Sequence, residues 1–156
     1  LIVWQHSMST STADNCIFCK IAQKKIDAKI IDENENAVAF LDAFPLTVGH
    51  TLVITKNHYT KLQDAEFDQI NQVFSLANKI LPAIEKGTGV QSTLIAIHNG
   101  KDAGQEIPHL HVHIVPRKLG DGGGAIHSMF DSSHRLEENE MIKIFKKIKE
   151  QLESGH

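Results

Sequence analysis

The sequence predicts an α+β fold with an antiparallel sheet. Three observations carry that reading. The chain holds several short β-branched runs and two long amphipathic stripes at helical spacing. Strands and helices are segregated along it more than they alternate, which disfavours a parallel α/β arrangement. At 156 residues the chain can bury one real core, and no internal repeat or long linker divides it. A single domain from Met8 to His156 is therefore expected, with residues 1–7 a foreign tail ahead of a native start.

The elements follow in order. Apolar residues at 17, 18, 21 and 26 suit a short helix directly after Cys16-Ile17-Phe18-Cys19. Lys29–Asp32 and Ala37–Leu41 flank the turn-rich Glu33-Asn34-Glu35-Asn36 and read as a hairpin. Thr51–Thr55 is a β-branched strand. Asp64 can cap the next element, in which Phe67, Ile70, Phe74, Ala77, Leu81 and Ile84 form one stripe of a long helix. Pro82 should kink that helix or end its regular part, and Gly87 and Gly89 should stop it. Gln91–Ile97 and Leu110–Val115 read as strands separated by a glycine-containing loop, Asn99–Glu106. Gly120–Gly124 is a flexible break. Met141, Phe145, Ile148 and Leu152 then mark a second amphipathic helix, with glutamates early and lysines late as the helix dipole prefers.

Composition narrows the function. Hydrophobic residues make up 41% and charged residues 22%, with a formal net charge of -3, so no basic face suggests a nucleic-acid partner. Leu1–Trp4 is apolar but too short for a signal core or a membrane span, which makes the cytosol the expected compartment. In a reducing compartment the Cys16/Cys19 pair favours metal binding or redox chemistry over a structural disulfide.

The chemistry concentrates in His109-Leu110-His111-Val112-His113. Side chains alternate along a strand, so the three imidazoles share one face while Leu110, Val112 and Ile114 take the other. Such a row can be a plain polar face, a three-histidine metal site of the carbonic anhydrase type, or a histidine nucleophile flanked by phosphate-binding histidines. The preceding loop, His98-Asn99-Gly100-Lys101-Asp102-Ala103-Gly104-Gln105-Glu106, favours the last reading. Its glycines allow backbone N–H groups to turn towards an anion, and Gln105 adds a neutral donor.

His-Leu-His-Val-His-Ile-Val resembles the motif of the histidine triad (HIT) superfamily, in particular its Hint-like branch of purine nucleoside phosphoramidases. The likeness extends over most of residues 16–117. It includes Cys16–Ile21, Ala39–Asp42, Pro45, Gly49–Ile54, Ala103–Gln105 and Pro116-Arg117. The resemblance implies a five-stranded antiparallel sheet with one long and several short helices, a homodimer, and hydrolysis or transfer of nucleotidyl groups from purine nucleotides. It gives His111 the role of nucleophile and lets His113 hydrogen-bond the α-phosphate. Asp42 would hold the ribose hydroxyls, and Ile17, Phe18 and Phe40 would line the base pocket. Gln105 would contact phosphate or leaving group, with Gly104 and His98 in the same binding loop. A neutral imidazole is a good nucleophile towards phosphorus, and crowded histidines oppose one another's protonation. His98, where the family often has Asn, and Glu106, where one branch has Ser, both alter the leaving-group side.

Bacterial-type relatives also imply a structural zinc. Carried to this chain its ligands are Cys16, Cys19, His50 and His109, a closed set of two thiolates and two imidazoles. His58 is read as a loop residue that shapes the site, His127 and His134 as surface residues, and Phe67, Phe74 and Phe145 as core. The competing functions are hydrolysis of dinucleoside polyphosphates, as in the Fhit-like branch, and a nucleotide-binding or scaffold module with incidental turnover. DNA-end processing lacks the basic region it would need.

Overall fold

A computed structural model describes residues 13–130 and 135–155. The chain divides after Asp121, inside the predicted glycine-rich break, into two compact units. The first holds helix α1 (Ile17–Ala22), strands β1 (Ile30–Glu33), β2 (Ala37–Leu41) and β3 (Thr51–Thr55), the long helix α2 (Phe67–Thr88), and strands β4 (Ser92–Ala96) and β5 (His111–Arg117). The second holds helix α3 (Glu138–Ser154) after a 3-10 turn at Ile126–Met129. No helix of the described residues is long and apolar enough to cross a membrane.

The five strands form one antiparallel sheet in the order β1-β2-β3-β5-β4. Register decides what each face carries. Val53 pairs with Ala39 and Val112, and these join Ala37, Ile114 and the buried side of α2 in one apolar cluster. Leu52 pairs with Phe40 and His113, and Ile54 with Val38 and His111, so the opposite face carries both histidines. There Phe18, Cys19 and Ile21 of α1 close over Val38, Phe40, Leu52 and Ile54. Burying side chains of the size of Ile54 or Val112 contributes about 1.5–3 kcal/mol each, so both layers fix the position of β5.

Several local expectations are corrected. Helix α2 runs through Pro82 and Gly87 to Thr88, and only Gly89, at φ 75°, terminates it. Pro82 and Asn78, whose carbonyl loses a helical partner to the proline, both lie on the exposed side, where water can take the bond. The N-cap of α2 is Glu66; Asp64 instead accepts the Lys61 N–H at 3.1 Å in the preceding turn. The buried stripe is Gln69, Val73, Leu76, Ala77, Ile80 and Ile84, so Phe67 and Phe74 face outwards at 75% and 41% exposure. Phe145 is likewise exposed, as are Met141, Ile148 and Leu152 of α3. His127 is exposed as expected, whereas His134 lies outside the described residues.

Candidate active site

The histidine row takes its geometry from the interior seam where β3 pairs with β5. His111 and His113 stand on the strand, while His109 precedes it and is fully buried. The His109 Nε2–H donates to the Thr55 carbonyl at 2.8 Å, which leaves its Nδ1 as a lone pair. The His111 Nδ1–H donates to the His109 carbonyl at 2.6 Å, so the lone pair of His111 is on Nε2. Phe18 packs edge-on against His111 at 5.1 Å and against Phe40 at 5.7 Å. Ile17, also predicted for the base pocket, is 45% exposed beside it.

A second chain of bonds fixes His113. Gly49, at φ +88°, permits the turn that delivers His50, and a Cβ there would strike the Thr88 side chain. Leu46 N–H donates to His50 Nδ1 at 3.0 Å, so His50 carries its proton on Nε2 and gives it to His113 Nδ1 at 3.0 Å. His113 is thereby held with a proton on Nε2, and that atom is buried with no partner among the described residues. It is a donor aimed at whatever occupies the site. Asp42 stands behind this pair, 3.6 Å from His50 Nε2, and its other carboxylate oxygen accepts the Phe44 N–H at 2.9 Å. Asp42, His50 and His113 have metal-ligand types, but the imidazoles spend the facing nitrogens on each other.

Electrostatics keeps the row neutral. Burial lowers the pKa of His113 to about 4, reinforced by His111, His50 and His98. His111 is lowered by burial, partly offset by its bond to the His109 carbonyl and lowered further by His98. An unprotonated Nε2 at neutral pH is the form a nucleophile requires.

The four metal-ligand positions need one correction. Cys16, Cys19 and His109 come together as expected, but the fourth member is His58, not His50. The His109 Nδ1 lies 3.4 Å from Cys16 Sγ and 3.5 Å from Cys19 Sγ, and His58 Nδ1 lies 3.2 Å from Cys19 Sγ. A tetrahedral zinc with ordinary Zn–S and Zn–N bonds separates sulfur from nitrogen by about 3.6 Å, so the donor set fits one. Burial pushes the Cys19 thiol up to about 12, with Cys16 adding to the rise, so a metal must displace that proton. Sequence reasoning assigned His58 only a shaping role. Antiparallel pairing of Ile54 with His111 signals the correct partner: continued by two residues it sets Lys56 opposite His109, with His58 close by and His50 at the far end.

Gln105 and the glycine loop also depart from expectation. Gln105 Oε1 accepts the Gly100 N–H at 2.9 Å, while its Nε2 donates to the Thr60 and Ile107 carbonyls at 2.8 and 3.2 Å. The N–H groups of Ala103, Gly104 and Gln105 bond to carbonyls of the same loop. These donors build the loop and are not turned towards an anion. A cleft of about 590 Å³ opens beside it, lined by Thr60, Lys101, Gly104, Gln105, Glu106 and Pro108.

Fold and site together define a single-sheet α+β protein with an imidazole whose Nε2 lone pair is oriented by a backbone carbonyl, a buried imidazole donor and a separate thiol–imidazole cluster. The HIT domain model matches residues 23–120, and the chain belongs to the HIT family. It is 41% identical over 107 residues to an uncharacterised HIT-like protein of Methanocaldococcus jannaschii, covering 69% of this chain and 82% of that one. It is 35% identical over 129 residues to the adenylylsulfatase HINT3 of Arabidopsis thaliana, covering 83% and 66%. The structure of a Zn-bound histidine triad family protein from Mycobacterium smegmatis superposes with a TM-score of 0.66 at 31% identity, covering 92% and 99%.

Proposed function

We propose that this chain cleaves purine nucleoside 5′-phosphoramidates through a nucleotidyl intermediate on His111. The carrying observation is the pair of opposed tautomers. The His109 carbonyl holds the His111 proton on Nδ1, and His50 holds the His113 proton on Nε2. One imidazole thus offers a lone pair to phosphorus while its neighbour offers a buried N–H to a phosphoryl oxygen. Their ring centroids are 4.9 Å apart, close enough for both to act on one phosphate. Phe18 and Phe40, with Ile17 at the rim, would take the purine, and the Asp42 carboxylate would accept from the ribose hydroxyls. The purine preference and the phosphoramidate bond come from the Hint-like resemblance. The adenylylsulfatase relative supports the broader class, displacement of a leaving group from a nucleotidyl phosphorus.

Cys16, Cys19, His58 and His109 would hold a structural zinc, for which the Zn-bound relative is further support. When bound, the ion would tie α1 to the loop after β3 and to the residue preceding β5, with no open position for substrate. We also propose a cytosolic homodimer; the molar mass from light scattering tests the dimer directly, and fractionation of cells tests the compartment.

The test is release of a fluorescent amine from its adenosine 5′-phosphoramidate. His111→Ala and His111→Gly should each lower kcat by about 10⁴-fold or more while remaining folded and binding AMP. Turnover that survives both substitutions would overturn the assignment of the nucleophile. Adenylyl sulfate and a dinucleoside polyphosphate, assayed in parallel, identify the preferred leaving group. Tight AMP binding without turnover of any of the three would favour the binding-module reading.

A further inference from the structure

His98 ends the run that begins in β4. Ala96 pairs with His113 across the β4–β5 ladder, so strand alternation carries the next-but-one residue, His98, along the same face. Its ring centroid lies 5.2 Å from that of His113. Its other side is backed by Gly104, where a Cβ would stand 3.8 Å from His98 Cγ. The ring is therefore held by packing alone. Among the described residues neither of its nitrogens has a hydrogen bond, and the side chain is only half-buried.

The loop donors and imidazoles around His98 have other commitments, apart from the site-facing Nε2 atoms of His111 and His113. The N–H groups of Gly100, Ala103, Gly104 and Gln105 are spent inside the loop, and the Gln105 amide nitrogen is spent on the Thr60 and Ile107 carbonyls. The His113 Nδ1 faces His50, the His111 Nδ1 faces a carbonyl, and Asp42 accepts from Phe44. Among the described residues His98 places an imidazole with both nitrogens unengaged beside the two reacting-face histidines. Gly104, which backs its ring, also lines the cleft of about 590 Å³.

We propose that His98 is a catalytic residue that protonates the departing group in the first step and deprotonates water in the second. This assignment rests on the proposed nucleotidyl transfer at His111. In the first step His111 Nε2 bonds to phosphorus as the P–N bond breaks. The electron pair of that bond takes a proton from the His98 imidazolium, and a neutral amine leaves. In the second step the oxygen of a water molecule bonds to phosphorus as the P–Nε2 bond breaks, returning its electron pair to His111. The water proton passes to the His98 imidazole and restores the imidazolium. Histidine suits both steps because it exchanges a proton near neutral pH.

The experiment compares two leaving groups in kcat/KM, which reports the first step. An adenosine phosphoramidate of an alkylamine needs a proton to depart, whereas the p-nitrophenyl ester of AMP leaves as a stable phenolate. His98→Asn and His98→Ala, each checked for folding by circular dichroism and for AMP affinity by calorimetry, should slow the alkylamine substrate by about 10²–10³-fold. The loss for the nitrophenyl ester should be smaller by on the order of 10²-fold. Equal losses on both substrates in folded variants, or no loss on the amine, would overturn the assignment of His98 alone. Failure of the unaltered protein to cleave either substrate would overturn the nucleotidyl-transfer reading along with it.

Discussion

His109 and His113 stand four residues apart on one face of the chain, and burial drives both pKa values down to about 4. Their chemistry nevertheless differs. His109 gives its Nε2 proton to the Thr55 carbonyl and turns a lone pair towards two thiols and His58. His113 receives a proton from His50 and turns an N–H, buried and unpartnered among the described residues, into the site. The same side chain becomes an electron-pair donor at one end and a proton donor at the other. What differs is whether a carbonyl accepts the proton of Nε2 or an imidazole donates one to Nδ1. His111 lies between the two ends and borrows its orientation from the first, through the His109 carbonyl.

The largest test of that contrast is His113→Ala. Loss of the proposed phosphate donor should lower kcat/KM for the phosphoramidate by about 10²–10³-fold, with the thermal midpoint little changed. A comparable drop in midpoint would show that His113 serves the fold instead. The metal end should respond in the opposite way. Removal of bound zinc with a chelator, or Cys16→Ala with Cys19→Ala, should cost about 2–3 kcal/mol, a fall of about 6–10 °C in midpoint by calorimetry. An unchanged midpoint after zinc is shown to be lost would remove the structural role from the cluster.

Acid should expose the His113 end. Its folded pKa, about 4, lies below the ordinary value near 6.5, so between those limits the unfolded chain holds a proton that the native chain does not. The stability from this neutral imidazole is present above about pH 6.5 and lost as the pH falls towards 4. Each such proton shifts the folding equilibrium by up to about tenfold per pH unit in that window. Urea titrations of wild type and His113→Asn should differ in this slope, and identical slopes would refute it. The smallest effect is expected for His50→Phe, which leaves His113 free to rotate. A loss of about fivefold in kcat is expected, together with a mixed His113 tautomer by nitrogen NMR. A single unchanged tautomer would show that His50 does not set it.

Local pattern made much of this legible. Thr51–Thr55 was bounded correctly because β-branched residues there have no competing helical spacing. The long helix was found by periodicity, but its inward face only in part: Ala77 and Ile84 are buried as expected, whereas Phe67 and Phe74 are not. Phe67 and Phe74 are as apolar as Val73 and Ile80, so two adjacent stripes matched the same period and only packing against the sheet chose between them. The site shows the same division. Alternation put His111 and His113 on one face, whereas Gln105 looked like a ligand donor until its amide was seen spanning Gly100, Thr60 and Ile107.

The sequence by itself determined the elements, the antiparallel α+β class and the shared face of the histidine row, because each depends on contacts within a few residues. The tertiary structure decided that His58 joins Cys16, Cys19 and His109 while His50 turns to His113. It also decided which nitrogen of each imidazole carries the proton. Those outcomes depend on the register between β3 and β5 and on partners as far apart as Cys16 and His109, and no local pattern encodes either.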